Sequence, residues 1–293
     1  MPRAKANGIE LEYETFGDRA DAPLLLIMGL GAQLITWRAE FCAMLAAAGF
    51  YVIRFDNRDS GLSTKMDEAG PPDLAAAYAG EPRPAYQLDD LARDAVGLLD
   101  ALGIEKAHIV GASMGGYIAQ LVAINHPDRT LSLTSIMSGP ANSEAAPPTP
   151  EALAVLVAAP PATREERIAQ EMWARKVLLG SADPFDEAYE RGRAERHIDR
   201  AYHPVGTARQ FMAILAAPPR LERLATLRVP TLVIHGVDDV LIPIENGRLV
   251  AAAVPGARLM EIEGMGHDLP QRVWPQFVDA MVELARDGSA LKS

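Results

Sequence analysis

Ile109-Val110-Gly111-Ala112-Ser113-Met114-Gly115-Gly116 decides how the chain is read, because an apolar run stops at a glycine-flanked serine and a helical pattern begins just after it. The pattern is G-x-S-x-G, a nucleophile elbow. In such an elbow the serine sits in strained backbone at a sharp strand-to-helix turn, and the flanking glycines let strand and helix crowd together. The pentapeptide alone arises by chance, so its context carries the weight. Residues 107–110 read as a short buried strand, and residues 117–125 as an apolar helix ending at His126-Pro127. Ser113 is therefore the candidate nucleophile, with a plain turn serine as the alternative.

Working towards the N-terminus, residues 88–102 place Leu88, Leu91, Leu98, Leu99 and Leu102 on one helical face, and Gly103 ends it. Residues 64–86 shift to Pro, Gly, Ala and charge without clear periodicity, the composition of a long functional or mobile loop. Before it, residues 51–55 read as a strand delivering Asp56-Asn57-Arg58-Asp59-Ser60-Gly61-Leu62-Ser63. Trp37, Phe41 and Leu45 recur at four-residue spacing and Gly49 follows, which predicts a helix. Residues 24–28 form a continuous apolar run, a strand buried on both faces, leading into the loop Gly29-Leu30-Gly31. Residues 9–16 alternate Ile9, Leu11 and Tyr13 with Glu10, Glu12 and Glu14, which predicts an antiparallel edge strand with one wet face.

Towards the C-terminus, residues 131–137 give another apolar strand. Strands alternating with helices at this interval predict crossover units and a mostly parallel sheet. Pro140 opens a different region, marked by Ala145-Ala146-Pro147-Pro148-Thr149-Pro150. As far as Pro204 the pattern is helical: residues 151–158, a helix opening at Thr163 with Glu166 three on in capping-box spacing and running to 179, and one after Asp183-Pro184 reaching 202. This reads as an inserted helical cap. The alternation then resumes with a helix at 208–216, a strand at 231–235, a helix at 245–254, a strand at 258–262 and a helix at 273–286. The expectation is an α/β core made of residues 1–139 and 205–293, split by a cap at 140–204.

A chain of 293 residues, 49% of them hydrophobic, can build one large core with an insertion. The net charge of -11 argues against nucleic acid or an anionic membrane surface as partner. No run reaches the ~18 apolar residues of a membrane span, and the first residues lack the apolar segment of a signal peptide. The expectation is a soluble cytoplasmic protein that binds a small molecule; the sequence allows a homodimer without specifying one. Cys42, the single cysteine, shares a helical face with apolar residues and reads as a small buried hydrophobe.

A serine hydroxyl needs a base within hydrogen-bond reach, itself oriented by a third group. In an open parallel sheet such groups gather at the carboxyl ends of the strands. The strand at 231–235 is followed by Gly236-Val237-Asp238-Asp239, and that at 258–262 by Glu263-Gly264-Met265-Gly266-His267. The order Ser, Asp, His is the one that accompanies a nucleophile elbow. His267, in a glycine-flanked loop, is the candidate base. His108 lies within a strand, His126 at a helix end, and His197 and His203 in the cap or its hinge; His235 ends a strand and is kept as a pocket-wall candidate. Spacing alone leaves Asp238 and Asp239 both open. The oxyanion would need preorganised N–H donors, for which the backbone of Met114 and of Leu30 are the candidates.

The segments GASMGG, FDNRDSGLS, TLVIHGVDD with Pro243 four after Asp239, and EIEGMGHDLP together resemble the α/β-hydrolase superfamily. They span almost the whole chain outside the cap. The resemblance implies the fold class, an α/β-hydrolase sheet with an inserted cap, and favours Asp239, since the family's acid commonly stands four residues before such a proline. Where the family usually reads His-Gly-x after the second of these strands, this chain has Met28-Gly29-Leu30. The backbone donor is kept and a bracing histidine is lost. The Met-Gly form, GMGH and FDNRDSG are similar to the aclacinomycin methylesterase group. The activity implied is a serine hydrolase cleaving carboxylic esters of small to medium, largely apolar substrates through an acyl-enzyme, with no metal or organic cofactor. Arg58 and Asp59 are read as loop-bracing residues. Met28, Trp173 and His235 are the pocket candidates, Trp173 as one of several apolar cap residues, most of which fit helix packing better. Lactone, thioester or carbon–carbon hydrolysis and perhydrolysis use the same three residues, and a ligand receptor that has kept the fold is the non-enzymatic alternative.

Overall fold

The chain switches direction across its sheet between its third strand and its fifth, and that switch fixes where the site lies. The computed structural model describes residues 2–290. The strands are β1 (Arg3–Ala6), β2 (Ile9–Phe16), β3 (Ala22–Ile27), β4 (Phe50–Phe55), β5 (Ala107–Ala112), β6 (Thr130–Ile136), β7 (Thr231–Gly236) and β8 (Arg258–Ile262). They form one sheet in the order β1-β2-β4-β3-β5-β6-β7-β8. β1 and β2 are antiparallel, β2 and β4 likewise, and every pairing from β4 to β8 is parallel. From β3 the chain steps outward to β4, then crosses back to β5 on the other side of β3. Loops leaving the carboxyl ends of β3 and β5 therefore diverge and open a crevice, the usual place for ligands in an open α/β sheet.

The helices that cover the sheet are α1 (Ala39–Ala47), α2 (Leu74–Tyr78), α3 (Leu88–Ala101), α4 (Met114–Asn125), α5 (Pro150–Val157), α6 (Arg164–Leu178), α7 (Glu187–Arg200), α8 (Pro204–Leu215), α9 (Leu221–Leu224), α10 (Ile244–Ala253) and α11 (Trp274–Ala290). The inner strands are continuous apolar runs because both of their faces are covered. Alternate residues go to opposite sides. Leu25, Ile27, Ile53 and Ile109 join Leu91, Leu98 and Ile118 of α3 and α4. Leu24, Leu26, Val52 and Val110 join Phe41 of α1 and Phe277 of α11. Each such leucine is fully buried and contributes about 1.5–3 kcal/mol by leaving water.

β2 is not the edge strand that its alternation predicts. β1 pairs with it from Arg3 opposite Glu12 to Ala6 opposite Ile9, so the edge passes to a four-residue strand. Arg-Ala-Lys-Ala carries no β-branched or aromatic residue, and charges on a short outer strand discourage further pairing. The stretch at 64–86 is less irregular than its composition predicts: it holds a 3-10 turn at Asp67–Ala69 and the short α2.

Between β6 and β7 the regular elements among the described residues are all helices. Thr163 Oγ accepts from Glu166 N–H while Glu166 caps Thr163 N–H, the reciprocal pairing that starts α6. α6 packs on α7 around Ile168, Ala194 and Ile198. α8 instead faces the sheet loops, with Arg209 and Gln210 fully buried. Among the described residues no helix is long and apolar enough to cross a membrane.

Candidate active site

Ser113 stands alone between β5 and α4 with φ 56° and ψ −124°, a conformation a serine adopts only under constraint. The constraint is crowding. A Cβ on Gly111 would lie 2.0 Å from the carbonyl oxygen of Gly115, and one on Gly115 would lie 2.1 Å from that of Ile27. Ser113 N–H donates to Ile136 O at 3.0 Å, which ties the elbow to β6.

His267 and Asp239 meet this serine. Ser113 Oγ is 2.9 Å from His267 Nε2, and His267 Nδ1 is 2.7 Å from Asp239 Oδ2. A carboxylate can only accept, so Nδ1 carries the ring proton and Nε2 presents its lone pair to the serine hydroxyl, the protonation pattern of a general base. The other carboxylate oxygen accepts from Leu241 and Ile242 N–H at 2.9 and 2.8 Å. Asp239 is thus buried with both oxygens engaged. Asp238 turns away: its Oδ2 accepts from the backbone N–H and the hydroxyl of Ser181, and those bonds hold its pKa below the ordinary carboxylate value.

The loop after β3 lies against Ser113. A Cβ on Gly29 would be 3.0 Å from Ser113 Cβ and 3.4 Å from Oγ. Neither Leu30 N–H nor Met114 N–H is engaged by a protein acceptor among the described residues, which leaves both free for an oxyanion. Two side chains hold this loop where the resembling family would use a histidine. Asn57 Nδ2 donates to Met28 O at 2.8 Å, and Gly31 N–H donates to Gln210 Oε1 at 2.8 Å. Gln210 in turn donates to Arg58 O and Ser60 Oγ at 2.7 and 3.0 Å. The sequence reading missed both residues. Asn57 stands inside the quoted FDNRDSGLS segment and could have been suspected; Gln210 is 179 positions from its partner, in a helix that carries no motif.

Arg58 forms a two-pronged ion pair with Asp94 at 2.6 and 2.7 Å, and Asp59 one with Arg209 at 2.7 and 2.8 Å. The hydroxyl of Tyr86 also donates to Asp59, at 2.7 Å. Burial would raise the pKa of Asp59, but Arg209 and the other donors outweigh it and hold the carboxyl below its ordinary value. These residues brace loops and touch no member of the Ser113 relay. Cys42 is buried, which pushes its thiol up to about 12 and leaves it unreactive.

The pocket residues expected from sequence are placed differently. Met28 is buried in the apolar layer with Trp37 and Met265. His235 is no pocket wall: it is fully buried behind the acid, where Nε2–H donates to Ile242 O at 2.7 Å, and α10 passes so close that a Cβ on Gly247 would be 2.4 Å from Nδ1. Burial holds its pKa below the ordinary 6.5 and keeps it neutral. A strand-end histidine is pulled inside here because the turn carrying the acid needs a donor. Trp173 is 39% exposed on α6 and is not part of the small core shared by α6 and α7.

The family model described as alpha/beta hydrolase fold matches residues 22–270. Rhodomycin D methylesterase DauP of Streptomyces sp. (strain C5) is 36% identical to this chain over 289 residues, covering 90% of this chain and 91% of its own length. Rhodomycin D methylesterase DnrP of Streptomyces peucetius is 35% identical over 287 residues, with the same coverage of 90% and 91%. Among solved structures, the enol-lactonase from Burkholderia xenovorans LB400 is similar with a TM-score of 0.75 at 27% identity, covering 97% of this chain and 99% of its own.

Proposed function

We propose, from the premise that this chain belongs to the α/β-hydrolase family and is an ester-cleaving serine hydrolase, that Ser113 is its nucleophile, His267 its base and Asp239 the acid that orients the base. Ser113 Oγ attacks the ester carbonyl while His267 Nε2 takes its proton. The resulting oxyanion is held by the N–H groups of Leu30 and Met114, and Asp239 stabilises the imidazolium through Nδ1–H. Collapse returns the proton from His267 to the departing alcohol and leaves an acyl-Ser113. Water, deprotonated by the same nitrogen, attacks the acyl carbon; the acid leaves and the serine is restored. Residues 140–204 act as a helical cap over this centre.

The substrate class we propose is the methyl ester of a small to medium, largely apolar acid. What supports it is the kinship with two methylesterases along nine-tenths of the chain. The observation that carries the mechanism is the relay of 2.9 and 2.7 Å from serine through histidine to aspartate. A lactone is the second reading, favoured by the likeness to an enol-lactonase, and would use the same steps on a cyclic ester.

The test is turnover of nitrophenyl esters of graded acyl length, of methyl esters and of lactones by wild type and Ser113→Ala, with a serine-directed phosphonate as titrant. Ser113→Ala should fold normally, take up no phosphonate and lose about 10⁶-fold in kcat, the scale of nucleophile removal in such triads. Undiminished activity in that variant would sink the mechanism. Lactones turned over faster than methyl esters would favour the second reading, and a wild type that neither labels nor turns over would point to a receptor.

A further inference from the structure

The connection between α6 and α7 belongs to the helical excursion, yet it is built into the loop that carries His267. Leu178 O accepts from the backbone N–H of His267 itself, at 2.9 Å, and Ala182 N–H donates to Gly264 O at 3.1 Å. Between those two bonds the main chains touch with nothing in between. A Cβ on Gly180 would lie 2.1 Å from Gly264 O and 2.3 Å from Gly266 N; one on Gly266 would lie 2.3 Å from Leu178 O. Neither glycine has a positive φ, so close approach and not a turn is what requires them. Polar side chains seal the same seam. Ser181 donates to Asp238 beside the acid, Arg272 pairs with Asp183 at 2.9 Å, and Arg175 bridges Glu190 of α7, at 2.9 Å, to Asp268, the residue next to the histidine.

Contacts between side chains can absorb a displacement by changing rotamer, whereas contacts between backbones cannot. A shift of the connection is therefore passed to the histidine loop, and His267 has two short bonds to keep at once. From this we infer that residues 175–183 are a positioning element for the base, with Gly180 and Arg175 its principal residues. The end of α6 and the histidine loop then move as one body, and any opening of the cap takes place elsewhere along it. This inference rests on His267 being the base.

The experiment compares Gly180→Ala, Arg175→Met and Arg175→Lys with wild type, and with Gly192→Ala as a control in α7, where a Cβ would meet only the end of Arg196 at 3.5 Å. A shift of about 1 Å at a catalytic group can cost about 100-fold in rate. Gly180→Ala should therefore lower kcat by about that factor while KM stays within about threefold, because transition-state geometry and not ground-state binding is disturbed. Arg175→Met should lower kcat in the same way but less, and Arg175→Lys, which keeps the charge between Glu190 and Asp268, should recover part of it. Gly192→Ala should keep its kcat. Folded Gly180→Ala and Arg175→Met enzymes with wild-type kcat, or with KM raised and kcat unchanged, would overturn the inference. Should Gly180→Ala fail to fold, the two Arg175 variants decide alone. His267→Ala separates this from the premise: if it stays active the mechanism itself fails, whereas an inactive His267→Ala beside a fully active Gly180→Ala removes only the positioning role.

Discussion

Asp239→Asn is the perturbation whose outcome the structure constrains most tightly. The wild-type carboxylate accepts three bonds, two from Leu241 and Ile242 N–H on Oδ1 and one from His267 Nδ1–H on Oδ2. An asparagine has only one oxygen to offer. Turning its NH2 towards Leu241 and Ile242 would set donor against two donors in a buried turn, and each buried donor left unpaired costs about 1–3 kcal/mol. The oxygen therefore stays with the turn and the NH2 faces His267. Nδ1 must then accept, so the ring proton moves to Nε2, where it points at Ser113 and blocks proton removal. The same substitution in a well-studied serine protease costs about 10⁴ in kcat, and we expect that scale here, about 5 kcal/mol in the barrier. Stability should move by only about 1 kcal/mol, because the turn keeps both of its bonds. The assay is kcat on the best ester of the panel, with urea unfolding alongside. Asp238→Asn is the comparison, since its amide oxygen can still accept from Ser181 and His267 keeps its partner. A kcat within about tenfold of wild type in Asp239→Asn, or a larger loss in Asp238→Asn than in Asp239→Asn, would refute the tautomer argument.

Two further outcomes concern stability. His235 is buried neutral with its pKa below the ordinary 6.5, so below that pH the unfolded chain binds a proton that the folded chain refuses. Its contribution is complete above about pH 6.5 and is lost as pH falls towards the folded value, by up to about 1.4 kcal/mol per pH unit. Urea unfolding of wild type and His235→Asn should therefore show a stability gap that narrows from pH 7 to pH 5.5; a gap independent of pH would contradict this. Arg209→Met strands the buried Asp59 carboxylate and should cost about 3–5 kcal/mol. Adding Asp59→Asn should restore part of the loss in thermal unfolding, and a double variant no more stable than Arg209→Met would refute the pairing.

What was legible in the sequence follows from which constraints are local. The buried strands β3, β5 and β7 announce themselves because a strand covered on both faces is mostly apolar. The start of α6 does so because Thr163 and Glu166 satisfy each other within one turn. β1 was not legible: four residues, two of them charged, become a strand only because β2 offers them an edge. The elbow was legible for the same local reason, since Gly111, Ser113 and Gly115 constrain one another within five residues.

The partners of the serine lie 126 and 154 positions away, and their legibility differs in kind. His267 stands out because a histidine amid glycines after a strand has few other uses. The choice between Asp238 and Asp239 was closed to spacing. Both stand in the turn after β7, where no strand alternation fixes their directions, and the groups facing each of them decide which one meets the histidine. Asp239 curls back over its own turn, through Leu241 and Ile242, while Asp238 is taken by Ser181 from the helical excursion. The excursion thus takes part in sorting the two carboxylates, and its connection accepts the backbone N–H of His267 as well. The groups that draw Asp238 aside and bind the backbone of His267 lie between β6 and β7, where no motif marks them. Leu178 acts through its carbonyl oxygen and Ser181 through its N–H as well as its hydroxyl, and a backbone group leaves no mark in a sequence, so these contacts become visible only when the chain is folded.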